Sequence, residues 1–108
     1  MTLQCNYTGG VDGIRFEWDP AKSRRNERKH GVSFEEARSV FFDDNALLLD
    51  DPDHSEKEDR FVLLGVSARL RVLLVCHCYR APKEMIRLIS ARKADRAERA
   101  EYNRRLRQ

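Results

Sequence analysis

The sequence is poor in the residues that build disulfide frameworks, membrane spans and flexible linkers. Its three cysteines, Cys5, Cys76 and Cys78, cannot all pair within one chain, and their spacing resembles no secreted scaffold, so reduced thiols are expected. The longest apolar stretch, Val72 to Cys78, is broken by His77 and falls far short of the roughly 18 to 20 residues of a membrane helix. Met1 to Gly13 shows no basic start followed by an apolar run, so a cytoplasmic protein is expected. Repeats, low-complexity tracts, a Gly-rich phosphate loop and a nucleophile elbow are absent, and no cofactor is expected. The acidic run Asp50–Asp59 lacks the glycine and the flanking helices of a calcium loop.

What is present is charge, and it is segregated. Of 108 residues 36% are charged, yet 21 basic against 18 acidic side chains leave only +3 overall. Residues 43–59 hold 1 basic and 8 acidic side chains, whereas residues 80–108 hold 10 basic and 4 acidic. Blocks of −7 and +6 point to an anionic partner for the basic part, most often nucleic acid. With 41% hydrophobic residues in clusters, the chain should fold as one small domain over 14–108, with 1–13, which holds Gly9, Gly10 and Gly13, as a flexible extension.

Ile14 to Trp18 alternates as a half-buried strand. Asp19-Pro20 then reads as an N-cap and a first-turn proline, opening a basic helix that stops at Gly31. Ser33 and Glu36 stand at capping-box spacing ahead of a second, amphipathic helix carrying Phe34, Ala37, Val40 and Phe41. A short strand follows at Ala46 to Leu49. Three more strands, Arg60–Ser67, Arg71–Tyr79 and Met85–Arg92, are close enough to form an antiparallel meander before a C-terminal helix. The expected class is α+β. Turns near Arg69 and Pro82 would put Val62, Leu64, Val72, Leu74, Cys76 and Ile89 on one face, with Arg60 and Arg87 at its edge. The other face would carry Phe61, Leu63, Val75 and Leu88 with Arg71, His77, Tyr79, Ser90 and Arg92.

Cys76-His77-Cys78 is not expected to hold zinc, because alternate strand residues point to opposite faces. His77, one polar residue among apolar strand neighbours, is either a hydrogen-bonded core histidine or a general acid or base. His54 sits in the acidic run and His30 ends the first helix, where a cation is favoured by the helix dipole. Arg60, Arg87 and Arg92 lie in or at the ends of apolar strands, where a guanidinium needs a carboxylate or an anionic ligand. RNA carries its own nucleophile in the 2′-hydroxyl. Arginines and one histidine could therefore cleave it by proton transfer and charge stabilisation alone.

Phe16-Glu17-Trp18-Asp19, Asn26, Lys29-His30-Gly31-Val32-Ser33-Phe34-Glu35-Glu36-Ala37, Asp51-Pro52-Asp53-His54, Arg60-Phe61, Gly65, His77 and Ile89-Ser90-Ala91-Arg92-Lys93-Ala94 together resemble the BrnT-type toxins of bacterial type II toxin–antitoxin modules. Ser23 and Leu70 depart from the pattern, where Asn and Gly are expected. The resemblance implies a RelE-like fold, an endoribonuclease that arrests growth, and neutralisation by a BrnA-type ribbon-helix-helix antitoxin whose complex with the toxin represses its own operator DNA. By position, Arg60, Arg92 and His77 match polar strand positions of the family and Lys29-His30 match its helix motif. On that basis Arg60, Arg87 and Arg92 are expected to bind and neutralise phosphate, with His77 as acid or base. Lys22, Lys29, His30 and Arg80 would hold the RNA backbone, with no metal. On the register above, His77 and Arg60 fall on opposite faces. The rival expectation is a noncatalytic basic module that binds its antitoxin and acts as a co-repressor on operator DNA.

Overall fold

A computed structural model describes residues 14–50, 60–80 and 85–107. The proposed N-terminal extension, Cys5, most of the acidic run with His54, and the turn at Pro82 lie outside the described residues. Within them the element order is β1 (Arg15–Glu17), α1 (Pro20–His30), α2 (Phe34–Ser39) with a 3₁₀ turn (Val40–Phe42), β2 (Leu47–Asp50), β3 (Arg60–Val66), β4 (Val72–Arg80), β5 (Met85–Lys93) and α3 (Arg96–Leu106). The α+β class is as expected.

The five strands form one sheet in the order β1-β5-β4-β3-β2. β2 to β5 pair antiparallel, whereas β1 runs parallel to β5 over three residues, Arg15↔Met85, Phe16↔Ile86 and Glu17↔Arg87. Beyond Arg87 the outer edge of β5 has no strand partner among the described residues, and α1 lies along it. Asn26, the buried residue of this otherwise polar helix, makes the joint. Its Nδ2 donates to the carbonyls of Val32 and Ala91, both at 2.8 Å, and its Oδ1 accepts from the Ala91 N–H at 3.2 Å. An amide is the one side-chain type that can both donate and accept in this way, taking the place of a neighbouring strand.

α1 begins and ends as its residues dictate. Asp19 Oδ1 accepts from the Ala21 N–H at 2.9 Å, and Gly31 closes the helix at φ 75°, a left-handed conformation open to glycine at little cost. Ser33 caps α2 by accepting from the Glu36 N–H at 3.1 Å. The return half of the expected capping box does not form. The Glu36 carboxylate turns inward to the Ser67 hydroxyl at 2.7 Å and to Arg71, whose Nε donates at 2.9 Å. Burial alone would raise the Glu36 carboxyl, but the Arg71 and Ser67 hydrogen bonds outweigh it and hold the group below the ordinary carboxylate range.

One face of the sheet packs under α1, α2 and the 3₁₀ turn, where Phe16, Trp18, Val32, Phe34, Ala37, Val40, Leu63, Leu73, Val75, Ile86, Leu88 and Ala91 form the core. α3 covers part of the opposite face through Tyr102, which with Ala94 just before the helix packs against Leu64, Leu47, Val66, Val72 and Leu74. Asp43 joins the two sides: it accepts from the Tyr102 hydroxyl at 2.6 Å and the Val66 N–H at 2.9 Å. Gly65 lets it approach, since a Cβ there would stand 2.9 Å from Asp43 Oδ2 and 3.0 Å from Val40 Cγ1.

The β4–β5 register corrects the face assignment made from sequence. His77 pairs with Leu88, but Cys76 pairs with Ser90, so Ile89 is an extra residue in β5. From that bulge onward the side chains of β5 exchange sides relative to a regular ladder. Ser90 and Arg92 therefore join Cys76, Cys78, Arg60 and Arg87 rather than His77, while Ala91 joins the core.

Candidate active site

Beyond the part roofed by α3, the second face carries the guanidiniums. Pairing sets Glu17, Arg87, Cys78 and Arg60 in one row across β1, β5, β4 and β3, and Arg80 lies in the next row beside Met85. Neighbouring strands stand about 4.8 Å apart, so the backbones of Arg60 and Arg87 flank Cys78 at about 10 Å from each other. Buried Glu17 orients two of these arginines: its Oε2 lies 3.2 Å from Arg87 Nη1 and 3.3 Å from Arg80 Nε. Two guanidiniums sharing one carboxylate oxygen leave a unit of positive charge in excess among the described residues, which an anion can meet.

Arg92 is held differently. Its Nη1 and Nη2 donate to the two Glu98 oxygens at 2.9 Å each, a bidentate pair, and Glu98 Oε1 also accepts from the Asp95 N–H at 2.9 Å in the capping box of α3. The hydrogen bonds from Arg92 pull the Glu98 carboxyl down despite partial burial. Arg92 thus locks the start of α3 to β5 while standing at the margin of the open face.

A cavity of about 290 Å³ lies beside it, lined by His30, Leu74, Cys76, Ser90, Ala91 and Arg92. His30 reaches it because α1 ends alongside β5. Its chain neighbours are pinned from several sides: Asn26 to Ala91, Gly31 N–H to the Glu27 carbonyl at 2.8 Å, and Arg71 Nη2 to the Gly31 carbonyl at 2.9 Å. Lys22 and Lys29, also on α1, are exposed. Of the expected residues, the fold therefore gathers Arg60, Arg80, Arg87, Arg92 and His30 on one side of the sheet.

His77 is not among them, and its expected role as acid or base meets a physical obstacle. Its ring is fully buried on the opposite face, edge-on to Phe41 at 4.8 Å and Tyr79 at 5.3 Å between centroids. Nδ1 lies 3.3 Å from the Val75 carbonyl, and Nε2 has no hydrogen-bond partner among the described residues. Burial depresses its pKa below the ordinary value, so the ring is neutral. A group with no exposed surface and the sheet between it and the guanidiniums does not meet a phosphate there. Sequence reasoning missed Glu17 and Glu98 as the carboxylates that aim the arginines. Glu17 sits in a strand opposite Arg87 only through a parallel pairing seventy residues long-range, which no local signal reports.

Cys76 and Cys78 share the guanidinium face, with Cys78 buried and Cys76 half-buried, while His77 points away, so the three do not converge. No helix among the described residues is long and apolar enough to cross a membrane.

None of the curated proteins matches the chain. The family described as "Ribonuclease toxin, BrnT, of type II toxin-antitoxin system" matches residues 18–98, from just after β1 into α3, and so takes in Arg60, Arg80, Arg87, His30 and the Arg92–Glu98 pair. With three quarters of its length inside that match, the chain belongs to the BrnT family of ribonuclease toxins of type II toxin–antitoxin systems.

Proposed function

We propose that this toxin cleaves RNA on the open face of the sheet by driving the 2′-hydroxyl onto the adjacent phosphate, with guanidiniums rather than a metal ion meeting the charge. The observation that carries the proposal is the row Glu17–Arg87–Cys78–Arg60 with Arg80 beside it, a concentration of cations in which one buried carboxylate fixes Arg80 and Arg87. Preorganised cations cost no reorganisation when charge develops on the pentacoordinate phosphorus. Arg60 and Arg87 bind the scissile phosphate, Arg80 and the exposed Lys22 and Lys29 track the backbone, and Arg92 acts through its grip on α3.

The same cations suit an acidic or extended segment of a cognate antitoxin, of the ribbon-helix-helix BrnA type, that covers this face and carries the pair onto operator DNA. Such a complex weakens as salt rises.

Toxin freed of antitoxin and incubated with RNA in EDTA tests the proposal. Cleavage that persists in the chelator and falls at least a hundredfold in Arg60→Ala/Arg87→Ala, with the thermal unfolding transition retained, is expected. Cleavage abolished by EDTA, or unchanged in the double variant, refutes it. A protein inert toward RNA that still tightens antitoxin binding to operator DNA would instead be a noncatalytic co-repressor.

A further inference from the structure

Resting on the proposal that this face cleaves RNA, we propose that His30, at the end of α1, is the proton-transfer group of the reaction and that the cavity beside it receives the ribose whose 2′-hydroxyl attacks. Three independent observations converge on it. His30 lines a cavity of about 290 Å³ together with Arg92, Ser90 and Cys76, all on the arginine side of the sheet. The bulge at Ile89 is what turns Ser90 and Arg92 toward it. Finally, the segment is held as a site requires: Asn26 docks the helix on β5, Gly31 reverses the chain immediately after His30, and Arg71, itself paired with Glu36, holds the Gly31 carbonyl.

The cavity adjoins the arginine row. Cys76 in its floor and Cys78 in the row are two residues apart on one strand, about 7 Å. A phosphate lying between Arg60 and Arg87 stands close enough for the ribose on its 5′ side to lie over the cavity. His77 faces the other side of the sheet and is fully buried, which leaves His30 as the histidine of the described residues able to meet RNA.

In the step, a neutral imidazole nitrogen of His30 takes the 2′-hydroxyl proton, the 2′-oxygen bonds to phosphorus, and the P–O5′ bond breaks. The products are a 2′,3′-cyclic phosphate and a 5′-oxygen that takes a proton from water, while the imidazolium returns its proton to solvent. The titratable and charged groups that line the cavity with the ring are Arg92 from β5 and the Cys76 thiol from β4, with Arg71 close by on the Gly31 carbonyl and Glu27 and Lys29 as the charged chain neighbours on α1.

The experiment measures kcat, KM and the pH profile of RNA cleavage for wild type, His30→Ala, His77→Phe and Cys76→Ser, with unfolding curves for each. His30→Ala is expected to lose about 10²–10⁴-fold in kcat with KM nearly unchanged, to lose the rising limb of the pH profile, and to recover part of its rate with added imidazole. Arg60→Ala/Arg87→Ala serves as the reference for a disabled phosphate site. Cleavage by His30→Ala at the wild-type rate and with the wild-type profile, while that double variant is inactive, overturns the role of His30 and leaves the ribonuclease proposal standing. Transfer of the rising limb to Cys76→Ser or His77→Phe overturns it as well, and wild-type protein inert toward RNA overturns both proposals.

Discussion

Asn26→Asp should be among the most damaging isosteric substitutions in this protein. The side chain is 8% exposed and gives both Nδ2 protons to carbonyls, those of Val32 and Ala91 at 2.8 Å, while Oδ1 takes the Ala91 N–H. Asn26→Ala leaves three buried backbone groups short of a partner. At about 1–3 kcal/mol for an unmade buried hydrogen bond, and allowing for water at the margin, the loss is about 2–4 kcal/mol. That is a large part of the roughly 5–15 kcal/mol that holds a domain of this size together. Asn26→Asp keeps the shape but sets a carboxylate oxygen against two carbonyl oxygens, so at neutral pH it costs at least as much as alanine. A protonated carboxyl regains one donor, and the gap to wild type therefore narrows as pH falls. Urea or thermal unfolding at pH 7 reads this directly, with a melting point lowered by about 8–16 °C for either variant. Because the same amide seats α1 on β5, RNA cleavage at a temperature where the variant is still folded should fall too. An Asn26→Asp protein that melts within about 2 °C of wild type would refute the view that this amide substitutes for a missing strand.

Gly65→Ala should destabilise by about 1–3 kcal/mol in urea titration, because the new Cβ meets Asp43 and Val40 at about 3 Å within a packed joint. Leu70, 83% exposed at φ 64°, should be bettered by glycine, with Leu70→Gly gaining up to about 1 kcal/mol; a loss would mean the turn is not strained. Burial lowers the His77 pKa in the folded chain, so the unfolded chain binds the proton first, and stability present above the ordinary histidine value drains away as pH falls below it. His77→Phe should flatten that decline in unfolding measured from pH 7 to 5, with the Glu36 and Asp43 losses appearing only at lower pH. Deleting Ile89 removes the bulge and leaves Ser90 opposite Cys76, so the variant should fold with a modest loss and keep Arg92 within reach of Glu98; a collapsed sheet would contradict the register.

Local chemistry was legible and long-range pairing was not. Asp19-Pro20, Gly31 and Ser33 mark helix ends through hydrogen bonds made within a few residues, and each lies where its chemistry predicts. The alternation in β3 and β4 assigns their faces correctly because those strands pair without interruption. β5 fails at Ile89: Leu88-Ile89 sets two apolar residues side by side and shifts the polar positions from Arg87 to Ser90 and Arg92, a break that a regular alternation reads straight through, and everything after it changes sides. The arginine positions were visible as anomalies in apolar strands, but their partners were not. Glu36 looked like half of a local capping box, yet Arg71, thirty-five residues on, outcompetes its own backbone because a carboxylate paired with a guanidinium gains attraction between two full charges that a neutral N–H does not offer. His77 stood out for polarity alone, which a core ring shares with a proton donor.

The carboxylates explain why a chain with so small a net charge can still present a cationic face. An arginine unheld in a strand would sample many rotamers, and fixing it on a ligand would cost side-chain entropy at each binding event. Glu17 and Glu98 meet that cost during folding, at the expense of part of the charge. The compromise differs at the two sites. Glu98 binds Arg92 through both oxygens and neutralises it, so that arginine positions α3 and the cavity wall. Glu17 offers one oxygen to two arginines, so orientation is bought for both while one unit of charge is left over. Removing Glu17 would add formal positive charge to the face and yet loosen Arg80 and Arg87. If orientation matters more than charge, Glu17→Gln binds RNA more tightly and cleaves it more slowly, whereas a purely electrostatic face would gain in both.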